Sequence, residues 1–313
     1  METKTYTYEE FKQMVCMEVK KALPDYRVSI EQIIKNNDTV LDAIIIRDDS
    51  SIAPSIYLNQ FYKCYQDGYL MEELIRDIIE MRKNSHLECD TTMITDFRRV
   101  KDHIACRLIN AEYNQKRLEG LPHTILEETD LAVIYYIRLC SIENEGEMTA
   151  SVTEDLMEIY GINMEVLHKT AMENTFRIYP PRFCPLPEIL NELIVQCILN
   201  DGETDLPGIP EGAEENFEMK LPMYVITNHE NRNGAIGVLN SAIMDYAAEK
   251  LGDFYILPAS IHEVLLVVKD SELDAESLQN MVREVNNDVL PDELLSDHIY
   301  EYDREMHRIR ICR

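Results

Sequence analysis

Apolar positions near the start of the chain recur at the spacing of an α-helix. Thr7 and Glu10 have the spacing of a capping box, in which each side chain hydrogen-bonds to the backbone of the other residue. An apolar stripe then runs from Phe11 to Val19, and Pro24 interrupts the pattern. The sequence therefore predicts an opening helix.

Two runs rich in β-branched residues follow, at 26–34 and 39–49. The sequence KNND separates them, and Asn and Asp favour the tight turns that join antiparallel strands. This pattern predicts a β-hairpin. Residues 69–84 return to helical spacing, with Leu70, Leu74 and Ile78 on one stripe, which predicts a second amphipathic helix.

The middle of the chain alternates between the two periodicities. Residues 96–118 carry Phe97 through Ala111 at helical spacing, which predicts a third long helix, and residues 130–139 form a β-rich run. Two shorter helical patterns follow at 153–161 and 163–175, and Gly161 is suited to end the first of them.

The last third predicts further strands and helices. We expect a strand at 222–227, a helix at 233–252, a hairpin at 254–269, a helix at 274–288 and a final hairpin at 298–312. Helix, hairpin and helix thus succeed one another three times along the chain. We predict an α+β fold of repeated helix–hairpin–helix units, with helices packed on small, mainly antiparallel sheets.

One segment has the composition of an exposed connection. Residues 200–220 contain three glycines, two prolines and seven acidic residues, a composition that buries little apolar surface. We predict an N-terminal domain at 1–205, a linker at 206–220 and a C-terminal domain at 221–313. Division of the first domain into subdomains 1–90 and 91–200 is an alternative to a single unit.

The balance of charge limits the partners that the chain can bind. Lys and Arg number 30 against 58 Asp and Glu, which gives a net charge of −28. Nucleic acids and anionic membranes require clustered basic side chains, so direct binding to either is not expected. A basic protein is the partner that this charge favours.

Several features favour the cytoplasm as the location of this chain. The first residues, METKTYTYEE, lack the basic and apolar regions of a secretory signal, and no apolar run approaches the roughly 20 residues that span a bilayer. The 8 cysteines show no CxxC pair and no disulfide framework. We therefore expect a reduced protein, and no pattern predicts a cofactor or a metal site.

His262 and Glu263 are the strongest candidates for a chemical site, within the sequence ILPASIHEVLLVV. A helical HEVLL would be a zinc-protease motif that lacks its second histidine, because position 266 is leucine. The β-branched run after the pair instead predicts a strand, on which neighbouring side chains point to opposite faces. We expect the pair to lie at the exposed end of a strand and not to act as one unit.

Other polar pairs give weaker indications. His103 and Cys106 lie one helical turn apart, and Arg107, Asn110 and Asn114 continue the same polar stripe, so a metal or ligand site is an alternative to a solvated helix face.

Two further pairs were considered as metal ligands. His86 and Cys89 repeat the spacing of His103 and Cys106 within a predicted loop. Pairing within the last hairpin would bring His298 and His307 together if the register allowed it.

The segment NHENRNGA, residues 228–235, follows a predicted strand and opens a predicted helix. Backbone N–H groups bind anions at such positions, although Gly234 and Gly237 do not complete a dinucleotide or P-loop motif. We expect a helix cap here, and an anion site is the alternative.

Six segments together resemble an uncharacterised protein family of anaerobic Gram-positive bacteria. They are IIKNNDTVLDAIII, IAPSIYLNQFYKCYQDG, ETDLAVIYYIRL, MYVITN with NGA, FYILPASIHEVLLVV and LLSDHIYEYDRE. The resemblance extends over nearly the whole chain. It implies no activity, cofactor or catalytic residue, because the family has no established chemistry.

Three functions remain open from the sequence. The first, which we favour, is a non-enzymatic cytoplasmic protein whose acidic surface binds a protein partner. The second is a metal-assisted hydrolase built from His262, Glu263 or the stripe at His103. The third is an acidic mimic of nucleic acid that binds a basic protein. Catalytic residues, substrate and oligomeric state are not predicted.

Overall fold

The computed structural model describes residues 6–48, 53–84, 91–142, 146–192, 223–269 and 274–312. The described helices are α1 (Tyr8–Ala22), α2 (Leu58–Gln66), α3 (Met71–Asn84), α4 (Phe97–Val100), α5 (Gln115–Leu118), α6 (Glu154–Tyr160), α7 (Met164–Ile178), α8 (186–192 within the described part), α9 (Ser241–Leu251) and α10 (Ala275–Val285). The described strands are β1 (Arg27–Ile34), β2 (Val40–Arg47), β3 (Ser55–Tyr57), β4 (Ile104–Asn110), β5 (His123–Ile125), β6 (Leu131–Ile142), β7 (Gly146–Ser151), β8 (Pro181–Pro185), β9 (Met223–Asn228), β10 (Phe254–Leu257), β11 (Val264–Val268), β12 (Tyr300–Asp303) and β13 (Arg308–Ile311).

The N-terminal helices pack on a three-stranded antiparallel sheet of order β1-β2-β3. The capping box of Thr7 and Glu10 is present at the start of α1, as its spacing predicts. The predicted hairpin is also present, and Asn37 and Asp38 in its turn adopt the left-handed backbone conformation that short polar residues tolerate.

A separate hydrophobic core holds this sheet against its helices. The buried side chains of α1 meet those of β2 and α3, and each fully buried aliphatic or aromatic side chain stabilises the fold by about 1.5–3 kcal/mol. The principal members are Phe11, Val15, Val19, Ile44, Ile46 and Ile78.

A four-stranded sheet forms the middle of the molecule, with order β4-β6-β5 and β7 paired to β6. The prediction of a long helix over 96–118 is wrong. After the single turn of α4, residues 104–110 form β4, and all seven pair with β6 from Ile104 opposite Ile137 to Asn110 opposite Leu131. The run IACRLIN is apolar except at Arg107 and Asn110, as in a strand that is covered on both faces, and pairing with β6 favours the extended conformation.

A six-stranded antiparallel sheet of order β13-β12-β10-β11-β9-β8 forms the remainder. The predicted hairpins at 254–269 and 298–312 are the pairs β10–β11 and β12–β13. The expected linker, 206–220, lies outside the described residues. Strand β8 precedes that linker and pairs with β9, which follows it.

The four-stranded and six-stranded sheets share one hydrophobic core. Inner side chains of the first sheet, such as Leu108 and Val133, belong to the same cluster as Ile226 and Leu266 of the second. Helices α7 and α9 contribute Leu167 and Met244 to this cluster. The protein is therefore an α+β protein with small antiparallel sheets, as predicted. Among the helices that the structure describes, none is long and apolar enough to cross a bilayer.

Candidate functional site

His262 and Glu263 lie between β10 and β11, and β11 begins directly after them. The Nδ1 atom of His262 accepts a hydrogen bond from the backbone N–H of Asn233 at 3.1 Å, and its Nε2 atom lies 3.6 Å from a carboxylate oxygen of Glu293. Glu263 instead accepts a hydrogen bond from the hydroxyl of Ser260 at 2.9 Å. The two side chains thus have separate partners and do not converge on a common atom.

A close backbone approach fixes the position of His262. Its carbonyl oxygen accepts a hydrogen bond from the hydroxyl of Thr227 at 3.0 Å. A Cβ atom on Gly234 would lie only 2.5 Å from this same oxygen and 2.8 Å from the Cα atom of Thr227. Glycine is therefore required at position 234 by packing, and the histidine is held by three segments of the chain.

The segment at 228–235 is held by hydrogen bonds within the loop and to residues 261 and 262. The side-chain oxygen of Asn228 accepts from the backbone N–H groups of Glu230 at 3.0 Å and Arg232 at 3.4 Å, and its amide donates to the carbonyl of Arg232 at 2.8 Å. The N–H groups of residues 231, 233 and 235 also have acceptors within the protein. Because these donors are occupied, they do not form an anion cradle.

The expectation of a helix cap within 228–235 is also wrong. A 3-10 helix, Gly234–Leu239, follows the loop, and Asn233 before it makes no side-chain capping bond. The α-helix α9 begins at Ser241, where the side chain of Asn240 accepts from the backbone N–H of Ile243 at 3.1 Å.

The predicted polar stripe at His103 does not exist, because its residues are not on a helix. His103 ends a short 3-10 turn, while Cys106 lies in β4 among the core residues of the four-stranded sheet. The backbone N–H of Cys106 donates to the hydroxyl of Thr175 at 2.8 Å. Burial raises the pKa of the Cys106 thiol to about 12, which keeps it protonated and unreactive.

The other predicted pairs give no site in the described part of the chain. His86 and Cys89 lie outside the described residues. The register of the last hairpin does not bring His298 and His307 together, because His298 precedes β12 and His307 lies in the turn at the other end of the hairpin. The Nδ1 atom of His307 lies 3.1 Å from a carboxylate oxygen of Asp245, which also accepts from the hydroxyl of Tyr302 at 2.8 Å.

Sequence reasoning missed a buried polar cluster around Asp130. The Asp130 carboxylate accepts hydrogen bonds from the amide of Asn110 at 2.7 Å, from the hydroxyl of Ser296 at 2.7 Å and from the hydroxyl of Tyr300. All four side chains are buried. Burial, followed by the charge of Asp130, raises the pKa of Tyr300 well above its ordinary value. With every group paired, this cluster is suited to hold the two larger sheets together and not to react.

A second polar contact attaches the N-terminal hairpin to the rest of the molecule. Asn114 is fully buried, donates to the side-chain oxygen of Asn37 at 2.8 Å and accepts from the Asn37 backbone N–H at 2.8 Å. The amide of Asn37 donates in turn to the carbonyl oxygens of Pro291 and Leu294. The turn KNND, predicted only as a hairpin turn, is thus also a junction between three parts of the fold.

Thr124, Tyr135 and His168 form another cluster that the sequence did not indicate. The hydroxyl of Tyr135 lies 2.6 Å from the hydroxyl of Thr124 and 2.8 Å from the Nδ1 atom of His168. Burial raises the pKa of Tyr135 to about 12 and lowers the pKa of His168 below its ordinary value. The three residues come from β5, β6 and α7, and no spacing in the sequence relates them.

A cleft with a volume of about 480 Å³ lies between β5 and the turn from α6 to α7. The exposed carboxylates of Glu154 and Glu158 lie at its edge. Among the described residues, no ion pair links either of them to a cation. Most of the other lining side chains are apolar, and two of them are methionines. The lining residues are Leu121, Pro122, His123, Glu154, Met157, Glu158, Gly161, Ile162 and Met164.

The acidic composition does not produce a metal site in the described ranges. No group of three or more His, Cys, Asp or Glu side chains is arranged to hold a metal ion among these residues. His262, Glu263 and His103 contribute to no such group. The cleft beside α6 combines apolar lining side chains with exposed carboxylates.

Residues 8–304 match the family of unknown function DUF5688, and the chain belongs to that family. The match covers nearly the whole chain and confirms the resemblance to an uncharacterised family. No curated protein and no solved structure matches the chain. The family description carries no activity, so the residues themselves are the basis for a functional proposal.

Proposed function

We propose that this member of DUF5688 is a non-enzymatic protein that binds a basic, partly apolar segment of another protein in the cleft beside α6. The observation that carries the proposal is the combination of apolar lining side chains, including Met157 and Met164, with the carboxylates of Glu154 and Glu158, which form no ion pair with any residue that the structure describes. Such a surface complements a segment in which lysine or arginine alternates with large apolar side chains.

The lining side chains are suited to this role. Methionine is unbranched and polarisable, so Met157 and Met164 can adjust to apolar side chains of different shapes. Two further apolar side chains on the same helices are exposed, Ile159 at 58% and Val166 at 42%.

The charge of the whole chain favours the same partner. A net charge of −28 steers basic partners toward the protein and repels acidic ones. The carboxylates of Glu154 and Glu158 would then orient the bound segment at short range, because salt screens interactions between exposed charges beyond about 8 Å in physiological solution.

We place this activity in the cytoplasm of an anaerobic Gram-positive bacterium. Free thiols are present at Cys16, Cys64, Cys106, Cys184 and Cys312. A reducing compartment keeps thiols in this state.

We also propose that helix, hairpin and helix is a recurrent unit of this chain. The elements around β1–β2 and around β10–β11 follow that order, whereas a strand, β4, stands where the middle unit would have its first long helix.

Binding of a synthetic amphipathic helix of leucine and lysine, measured by fluorescence anisotropy, tests the proposal. The double variant Glu154→Gln and Glu158→Gln should weaken binding at least tenfold, since both carboxylates adjoin the cleft. The double variant Glu276→Gln and Glu284→Gln on α10 removes the same charge from an exposed surface elsewhere and should leave binding unchanged.

The same experiment distinguishes the acidic-mimic alternative. If both double variants weaken binding equally, total charge and not the cleft determines affinity, and the chain behaves as a mimic of nucleic acid. If neither variant changes the affinity, or if the peptide does not bind the wild-type protein, the cleft is not a docking site for a basic segment.

A further inference from the structure

The outer face of the four-stranded sheet carries two neighbouring arginines. Arg107 lies on β4 directly opposite Ile134 of β6, so both side chains are on the same face of the sheet. Arg117 belongs to α5, and the next residue, Leu118, packs against Ile134 and Ile109. The fold therefore holds both arginines over the same part of the sheet, on the face opposite the main core.

Neither guanidinium forms a salt bridge or a side-chain hydrogen bond in the described part of the chain, although the charge of Asp38 acts on Arg117 and partly offsets the effect of burial on its pKa. No ion pair and no side-chain hydrogen bond involves Arg107 there, and its Nε atom is buried without a hydrogen-bond partner. The Arg107 guanidinium lies over the aromatic ring of Tyr136, with 5.5 Å between its Cζ atom and the ring centroid. Nearby Asp38 accepts instead from the backbone N–H groups of Lys116 and Arg117, at 3.0 and 3.2 Å.

This arrangement is unfavourable for the protein by itself. Two half-buried cations lie over the same face of the sheet in a chain with 58 acidic residues, which offers many possible partners. Burial lowers the pKa of Arg107, and burial together with the charge of Arg107 lowers the pKa of Arg117 to about 10. An anion between the two guanidinium groups would remove this repulsion and supply acceptors for their N–H groups.

We propose that Arg107 and Arg117 bind the phosphoryl group of a small anion, either inorganic phosphate or a phosphate monoester. A phosphate dianion matches the two charges, and its oxygens accept from the planar fork of each arginine. This site lies on the outer face of the sheet, and phosphate binding there does not require the proposed protein partner.

Thermal unfolding in sodium phosphate, compared with sodium chloride of equal ionic strength, tests the site. Phosphate should raise the Tm of the wild-type protein, and calorimetric titration with phosphate should show saturable binding. Arg107→Met and Arg117→Gln should each weaken that binding at least tenfold. Arg107→Lys, which keeps the charge and loses the fork, should weaken it to a smaller extent.

Arg283→Gln is the matched control, because Arg283 is exposed on α10 and lies outside the site. Circular dichroism establishes that each variant is folded, and Arg117→Gln serves as the test if Arg107→Met does not fold. Methyl phosphate in place of phosphate distinguishes the sources, since tighter binding of the ester indicates a phosphate monoester and tighter binding of phosphate indicates the free ion. The proposal is overturned if phosphate stabilises the protein no more than chloride does, or stabilises Arg117→Gln equally.

Discussion

The hydroxyl group of Tyr300 donates a hydrogen bond to the buried carboxylate of Asp130, although 170 residues separate the two in sequence. This bond connects the start of β6 in the four-stranded sheet with β12 in the six-stranded sheet. Ser296 donates to the same carboxylate from the segment that precedes β12. The two larger sheets are thus joined by a polar contact in addition to their common apolar core.

Replacing Asp130 with asparagine should destabilise the protein by about 3 kcal/mol, because one acceptor oxygen becomes a donor that faces other donors. Urea unfolding, followed by circular dichroism, measures the change. Asp288→Asn provides a control, since Asp288 is exposed. An equal effect of the two substitutions would show that the buried cluster does not stabilise the fold.

Gly234→Ala should cost about 3 kcal/mol of folding free energy, because the added Cβ atom would lie 2.5 Å from the carbonyl oxygen of His262. The His262 carbonyl oxygen and the Thr227 Cα atom near this position belong to closely packed backbone, so neither can move easily. Gly120→Ala is the matched substitution, since no atom lies within 4 Å of the corresponding Cβ position. Denaturant unfolding should give a nearly unchanged midpoint for Gly120→Ala, and comparable stability of both variants would contradict the prediction.

His168 should make stability depend on pH on the acid side of neutrality. Burial lowers the pKa of His168 in the folded protein below the value of 6.5 for the exposed side chain. Protonation therefore favours the unfolded chain, so the contribution of His168 is present above pH 6.5 and is lost as the pH falls through the folded pKa.

The free energy of unfolding of wild type and of His168→Gln, measured between pH 5 and pH 8, tests this dependence. The advantage of the wild type over the variant should decrease as the pH falls below 6.5. His298→Gln serves as a control for the loss of a histidine elsewhere. If the difference in unfolding free energy between wild type and variant stays constant over this pH range, burial does not lower the pKa of His168.

Cys106 should resist alkylation in the folded protein. Its thiol is buried, so iodoacetamide cannot reach it. Its pKa is raised to about 12, so little reactive thiolate forms at neutral pH. Cys16 on α1 is partly exposed and should react sooner. Mass spectrometry of peptides from a timed alkylation compares the two sites, and modification of Cys106 before Cys16 in native buffer would contradict this account.

Much of the secondary structure follows from local sequence. The capping box of Thr7 and Glu10, the Asn37 and Asp38 turn, and the glycine at 161 each act on neighbouring backbone groups, and each is present as predicted. The hairpins β10–β11 and β12–β13 are likewise joined by short connections. Interactions over a few residues leave a pattern that periodicity detects.

Tertiary structure decided the remaining features. Residues 104–110 carry apolar positions at helical spacing, yet they form β4 because β6 provides a partner for every one of them. The groupings of Asp130 with Tyr300 and of Tyr135 with His168 bring together residues from separate elements.

The sequence by itself determined the acidic charge, most helices and hairpins, and the family. Only the tertiary structure decided which polar side chains meet, because such contacts depend on the packing of whole sheets and not on the spacing of neighbours. His262 and Glu263 illustrate the difference: they are adjacent in sequence, yet their partners Asn233 and Ser260 belong to different parts of the fold.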